Sequence, residues 1–206
     1  MAVARKVRGK TVSKKAPRKA NPYTKDLDKN PANHQSLSPL TFLERAAFTF
    51  PKHIAILHGE RRITYEELYA RTRRLASALA RRGIGLGDTV AVIAPNIPPM
   101  LDAHYGVMMT GGVMNAINYR LSAQEIAFII DHGEAKGLIV DKEFGALARE
   151  ALKLCKAKPF VIGIDDPEFD GGEFIGEMDY EAFLVTGDPA FAWSPPEDEW
   201  QSIALN

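Results

Sequence analysis

Asp166-Pro-Glu168-Phe-Asp170-Gly171, with Glu177 six positions on, is the stretch of this chain nearest to a ligand set. A calcium loop of the EF-hand kind takes oxygen ligands at positions one, three, five and twelve and glycine at six, and all of these are in register. Position three is Glu where the pattern has Asp or Asn, Pro167 interrupts it, and strand-like sequence leads in where a helix should. A solvated acidic surface loop is therefore the better reading. Gly9-Lys10-Thr11 has the ending of a phosphate-binding P-loop, but the pattern needs a glycine where Ala4 stands. Gly83, Gly85 and Gly87 have the spacing of part of a dinucleotide fingerprint, yet they follow a helix and lead into a strand, the reverse of the order that brings amides to a pyrophosphate. Arg71, Arg74, Arg81 and Arg82 could hold an anion; on an amphipathic helix such a run reads first as the wet face. His34, His53, His58, His104 and His132 include no pair at metal-ligand spacing on one helix face, and Cys155 stands alone in a helical pattern as a small packed residue. There is no Gly-x-Ser-x-Gly nucleophile motif. Residue chemistry alone thus assigns no catalytic, cofactor-binding or metal-ligating residue.

The elements that would position any site are easier to read. Ser38-Pro39 is an N-cap followed by proline at the first helical position, and Leu40, Leu43, Ala47 and Phe48 recur at helical spacing up to Pro51. Ile54–Leu57 and Arg62–Thr64 read as two short strands with a turn at Gly59. Thr64 and Glu67 form a capping box for a helix to about Arg82, whose apolar face holds Tyr65, Leu68, Tyr69, Thr72, Leu75, Ala76 and Leu79. Thr89–Ala94 is a continuous apolar run, as in a strand buried on both faces of a parallel sheet. A helix from Pro98-Pro99 follows, with Leu101, Tyr105, Met108 and Met109 on one side. A strand from Val113 to Asn118 comes next, then a helix capped by Ser122 and Glu125, a strand at Gly137–Val140, a helix over Phe144–Lys156 and a strand at Pro159–Ile164. This β–α–β rhythm predicts an α/β fold, a parallel-rich sheet with helices on both faces. A short helix near Tyr180–Val185 follows the acidic loop at 165–176, and Ser202–Asn206 reads as a strand cut off at its end.

Composition sets bounds. The 206 residues carry 26 basic and 26 acidic side chains, but nine of the basic ones lie in the first 25 positions with no acid among them. The remainder is acidic, which argues against nucleic acid as the main partner. Residues 1–36 read as a basic disordered tail and 37–206 as one domain; a presequence or a basic arm for an anionic surface are the other readings of the tail. The single cysteine fits a reducing compartment, hence a cytoplasmic location, and no apolar run reaches transmembrane length.

Taken in order, several stretches resemble the AMP-forming acyl-CoA synthetases, the adenylate-forming synthetase/ligase family. Ser38-Pro-Leu-Thr-Phe-Leu-Glu-Arg-Ala46 is similar to the opening helix of that family. Ile63-Thr-Tyr-Glu-Glu-Leu68 resembles its first motif, Gly87–Asn96 its first buried strand and loop, and Tyr105–Leu121 its helix–Gly–strand motif. Leu138-Ile-Val-Asp141 and Asp198-Glu-Trp200 follow in the same order. Asn33-His-Gln-Ser-Leu-Ser-Pro-Leu40 points to the branch that activates fatty or other small organic acids. The resemblance implies a ligase parent using ATP, Mg²⁺ and CoA, with a carboxylic acid and CoA as its partners. It also implies that this chain is the N-terminal subdomain, truncated where the phosphate loop would begin. None of the family's catalytic residues maps onto the chain, so none is carried over, and neither ATP, Mg²⁺ nor CoA is expected to bind the chain alone. A free-standing, non-catalytic interaction module on the same subdomain is the alternative. Asn96 and Asn118, at expected strand ends, are candidates for lining an acyl or thiol channel, beside turn and cap roles. The terminal strand is expected to expose an edge through which chains self-associate.

Overall fold

The structure is a computed structural model and describes residues 21–205; Gly9-Lys10-Thr11 and most of the basic stretch lie outside these residues. By contacts the chain divides into two units, Met1–Gln35 and Ser36–Asn206. The described part of the first holds one 3₁₀ turn, Pro22–Thr24, capped by the Asn21 side chain, and none of its three residues is buried.

The second unit is built on a six-stranded sheet. Its helices and strands are α1 (Pro39–Thr49), β1 (Ile54–His58), β2 (Arg61–Thr64), α2 (Tyr65–Arg81), β3 (Thr89–Ile93), α3 (Pro98–Met109), β4 (Val113–Ala116), α4 (Ala123–His132), β5 (Gly137–Asp141), α5 (Gly145–Leu154), β6 (Phe160–Ile164), β7 (Met178–Asp179), α6 (Tyr180–Val185) and β8 (Ala204–Leu205). β1 and β2 form a separate antiparallel hairpin. The large sheet runs β7-β6-β5-β3-β4-β8, and every pair in it is parallel. All five residues of β3 and of β5 are buried, as their unbroken apolar runs require. Alternation sends Val90 and Val92 into one core layer and Ala91 and Ile93 into the other. The first layer packs under α1, α2, α3 and α6, the second under α4 and α5.

Local signals placed these elements. Ser38 accepts from the Leu40 amide with Pro39 behind it, and both capping boxes form, Thr64 with Glu67 and Ser122 with Glu125. α3 crosses α2 closely because Gly106 has no side chain: a Cβ there would lie 2.7 Å from Leu75 Cδ2.

Three expectations need correction. Phe48 does not join the apolar face of α1 but is 89% exposed. It sits about 140° around the helix from Leu43, counting roughly 100° per residue. Asp166 is not on a solvated loop: it is buried and bonded to His58, while Glu168 and Asp170 of the same loop are exposed. The arginines of α2 are not simply its wet face, because α6 and the chain beyond it lie along that side.

The α4 capping box supplies a test. The Ser122 amide and hydroxyl hold the Glu125 carboxyl below its ordinary value. That contribution is full above the unfolded carboxyl's pKa and is lost as pH falls through the lowered, folded one. Ser122→Ala is expected to cost about 1 kcal/mol at neutral pH. The difference between wild type and Glu125→Gln should shrink as pH drops below the ordinary glutamate range, as read by urea midpoints at a series of pH values.

Candidate functional site

Because the sheet is parallel, the carboxyl ends of β3, β4, β5 and β6 share one edge. From β3 the chain moves to β4 on one side, and from β5 it moves to β6 on the other. Open α/β sheets bind ligands at such a reversal. Three clefts open near this edge.

The first lies beside Asn96, lined by Ile56, Ile97, Pro98, Met100, Leu101 and His104, with about 540 Å³ of empty space. Asn96 is exposed just past β3. The Nδ1 of His104 lies 2.8 Å from the Met100 carbonyl. A carbonyl only accepts, so Nδ1 carries the hydrogen. The second cleft, with about 850 Å³, runs between β4 and α4 and includes Asn115, Asn118, Leu121, Phe128, His132 and Leu205. Here Asn118 has a turn role: its Oδ1 accepts from the Arg120 amide at 3.0 Å and its carbonyl from the Leu121 amide at 3.2 Å. The third, with about 470 Å³, lies between the hairpin and the β6 end and includes His58, Arg61, Pro99, Asp166 and Glu181.

Two buried carboxylates, Asp141 and Asp166, flank this edge; the sequence pattern puts Asp166 in the calcium-like loop and gives Asp141 no chemical role. Asp141, closing β5, accepts from the Glu143 amide at 2.8 Å through Oδ1; its Oδ2 is buried with no partner among the described residues. Burial, with the charge of Asp166 added, pushes the Asp141 carboxyl above its ordinary value. Asp166 meets His58 Nε2 at 2.8 Å, which ties the hairpin to the end of β6.

Asp102, on α3, is fully buried. Its Oδ2 accepts from Arg71 Nε and Nη2, at 3.0 and 2.7 Å, and from the Tyr180 hydroxyl at 3.1 Å. Arg71 also donates to both Glu181 oxygens, at 2.7 and 2.8 Å. Burial alone would lower Arg71, but Glu181 and Asp102 outweigh it and hold the guanidinium charged. Burial holds the Asp102 carboxyl above its ordinary value against the pull of Arg71. The signal in the sequence was a lone acid in an otherwise apolar helix; its partners, 31 and 78 residues away, left none. This network locks α2, α3 and α6 together.

The described residues do not fit a magnesium–triphosphate group. No set of three or more His, Cys, Asp or Glu among them is placed to hold a metal ion, no Lys or Arg lines the first two clefts, and the third is rich in carboxylates. A polyphosphate needs cations and fixed donors. In the loop that resembled a calcium site, Asp166 is turned to His58.

Against this geometry, a family model described as AMP-binding enzyme matches residues 43–199. The chain belongs to the AMP-binding enzyme family. This family member is 48% identical over 192 residues to the peroxisomal acetate/butyrate–CoA ligase AAE7 of Arabidopsis thaliana, covering 87% of this chain and 34% of that protein. It is 47% identical to the acetate–CoA ligase CCL3 of Humulus lupulus, with the same coverage. In fold it is similar to the anthranilate CoA ligase AuaEII, with a TM-score of 0.70 at 18% identity over 83% of this chain and 32% of that one. The chain thus spans about a third of the length of the acyl-CoA ligases it matches, in their amino-terminal part. Among the described residues no helix is long and apolar enough to cross a membrane.

Removing one partner from a buried ion pair leaves the other uncompensated, at a cost of about 3–5 kcal/mol. Asp102→Ala strips Arg71 of two bonds and the Tyr180 hydroxyl of its acceptor, while Glu181 still pairs the guanidinium. Urea unfolding is therefore expected to show a loss below that range; a loss under about 1 kcal/mol would mean that Glu181 alone suffices to hold Arg71.

Proposed function

We propose that this chain is the amino-terminal subdomain of an acid–CoA ligase that activates a small carboxylic acid, and that the chain alone does not catalyse. The carrying observation is the 48% identity to an acetate/butyrate–CoA ligase across 87% of the chain. In the parent reaction a carboxylate attacks the α-phosphorus of ATP and expels pyrophosphate; the CoA thiol then attacks the acyl carbon and expels AMP. The first step brings an anion to a polyanion, and catalysis rests on Mg²⁺, cationic side chains and amide donors around the phosphates. Losing one such donor typically costs about 100- to 1,000-fold. The clefts described above offer no such set, which supports inactivity of the chain by itself. Asn96, exposed and without a hydrogen bond to the described residues, is the channel candidate, whereas Asn118 is engaged in its turn.

The test is calorimetry with Mg-ATP, together with acid-dependent ATP–pyrophosphate exchange on acetate and butyrate. The chain alone should give neither binding heat nor exchange. Mixed with the remaining two thirds of the acetate/butyrate relative, it should restore exchange. Binding by the chain alone would overturn the inactivity, and failure of every mixture would remove support for the ligase parent.

The exposed flank of β8, where Leu205 is 38% accessible and only the β4 side is paired among the described residues, supports self-association through this edge. Sedimentation should show concentration-dependent oligomers and hydrophobic-dye binding; a monomer that binds no dye would refute it. For compartment, the lone buried cysteine suits a reducing interior such as the cytoplasm. The peroxisomal names of several relatives make the peroxisome the competing location, which imaging of the tagged chain decides.

A further inference from the structure

The segment from Thr186 to Leu205 crosses the molecule from α6 to the opposite edge of the sheet, where it becomes β8. Within it only Gly187 is buried. It is attached by a few hydrogen bonds, most of them half-buried, and by three half-buried apolar side chains. Arg81 donates to the Thr186 carbonyl, Arg74 to that of Gly187 at 3.1 Å and Arg73 to that of Phe191 at 2.9 Å. The Trp193 indole donates to the Tyr69 hydroxyl at 3.0 Å, and the Ser36 hydroxyl to the Glu197 carbonyl at 3.0 Å. At the far end, among the described residues, β8 pairs with β4 through Met114 with Ala204 and Asn115 with Leu205. Of the segment's side chains, Phe191, Trp193 and Ile203 pack half-buried against the first core layer, and the second layer closes without any of the three. Side chains that are at most half-buried, and few hydrogen bonds over twenty residues, mark a unit that opens at a lower free energy than the whole fold.

We propose that residues 186–205 form a strap that detaches as a unit from α2 and β4 while the core stays folded. Detachment frees the β4 edge and removes Leu205 from the wall of the cleft between β4 and α4. The strap therefore governs whether that cleft is complete. The arginines of α2 are its fasteners on main-chain carbonyls, with the Trp193 indole on Tyr69 as the side-chain anchor.

Both tryptophans of the chain, Trp193 and Trp200, lie in the strap. Trp200 is 94% exposed, so a change in tryptophan emission reports Trp193 leaving Tyr69. Helix content reports the core. Gly187 supplies a selective perturbation, because a Cβ there would run into the Arg74 carbonyl oxygen and wedge the strap from α2. The experiment follows tryptophan emission and far-UV circular dichroism through one urea titration of the 206-residue chain and of Gly187→Ala. Emission should change at lower urea than ellipticity, and Gly187→Ala should shift the emission midpoint further down while leaving the ellipticity midpoint in place. Hydrogen exchange gives a readout on wild type alone. The Met114 amide, bonded to the Ile203 carbonyl, should exchange faster than the Ile117 amide, bonded to Val92 in the core. Coincident transitions, with Met114 as protected as Ile117, would overturn the proposal.

Discussion

β3 and β5 are buried on both faces, and most of the fold is a consequence of that. A strand with no wet face must have every amide paired and helices on either side. Parallel pairing then demands crossover connections, and their fixed hand sends α3 to one layer and α4 and α5 to the other. All carboxyl ends meet at one edge, so the clefts beside Asn96 and Asn118 lie where the topology reverses, with Asp141 closing the strand between β3 and β6.

On the outer side of the first layer, charge takes over from apolar packing. α2 and its C-cap carry a row of arginines toward α6 and the chain around it, and they find acceptors of several kinds. Arg71 is drawn into a buried pair with Asp102, Arg73 and Arg74 hold main-chain carbonyls, and Arg82 pairs with Glu177 and lies over the Phe160 ring. A guanidinium is suited to this because its planar fork offers several donors and sheds water readily. The inner end of the row is rigid, since Asp102 and Tyr180 are buried. Further along the row, Arg73 and Arg74 hold half-buried backbone carbonyls.

The chain belongs to the AMP-binding enzyme family and spans about a third of the length of its acyl-CoA ligase relatives. The matched third supplies sheet, helices and clefts, and no cluster of three or more His, Cys, Asp or Glu among its described residues is placed to hold a metal ion. What the chain does provide is the scaffold on which β4 and β8 are aligned.

The sequence by itself determined the elements and their order. Ser38, Thr64, Ser122 and Glu125 fix helix starts through contacts within four residues, and the apolar runs of β3 and β5 declare two-sided burial without reference to a partner. It also placed Asn96 and Asn118 at strand ends, because strand ends follow from local pattern. Tertiary structure decided what those residues meet. It gave Asp102 to Arg71 and Tyr180, Asp166 to His58, and the arginines of α2 to carbonyls more than 100 residues away. Such pairings carry no periodicity, since a charge is matched in space by whichever group the fold delivers, and only the fold shows whether an arginine faces water or another part of its own chain.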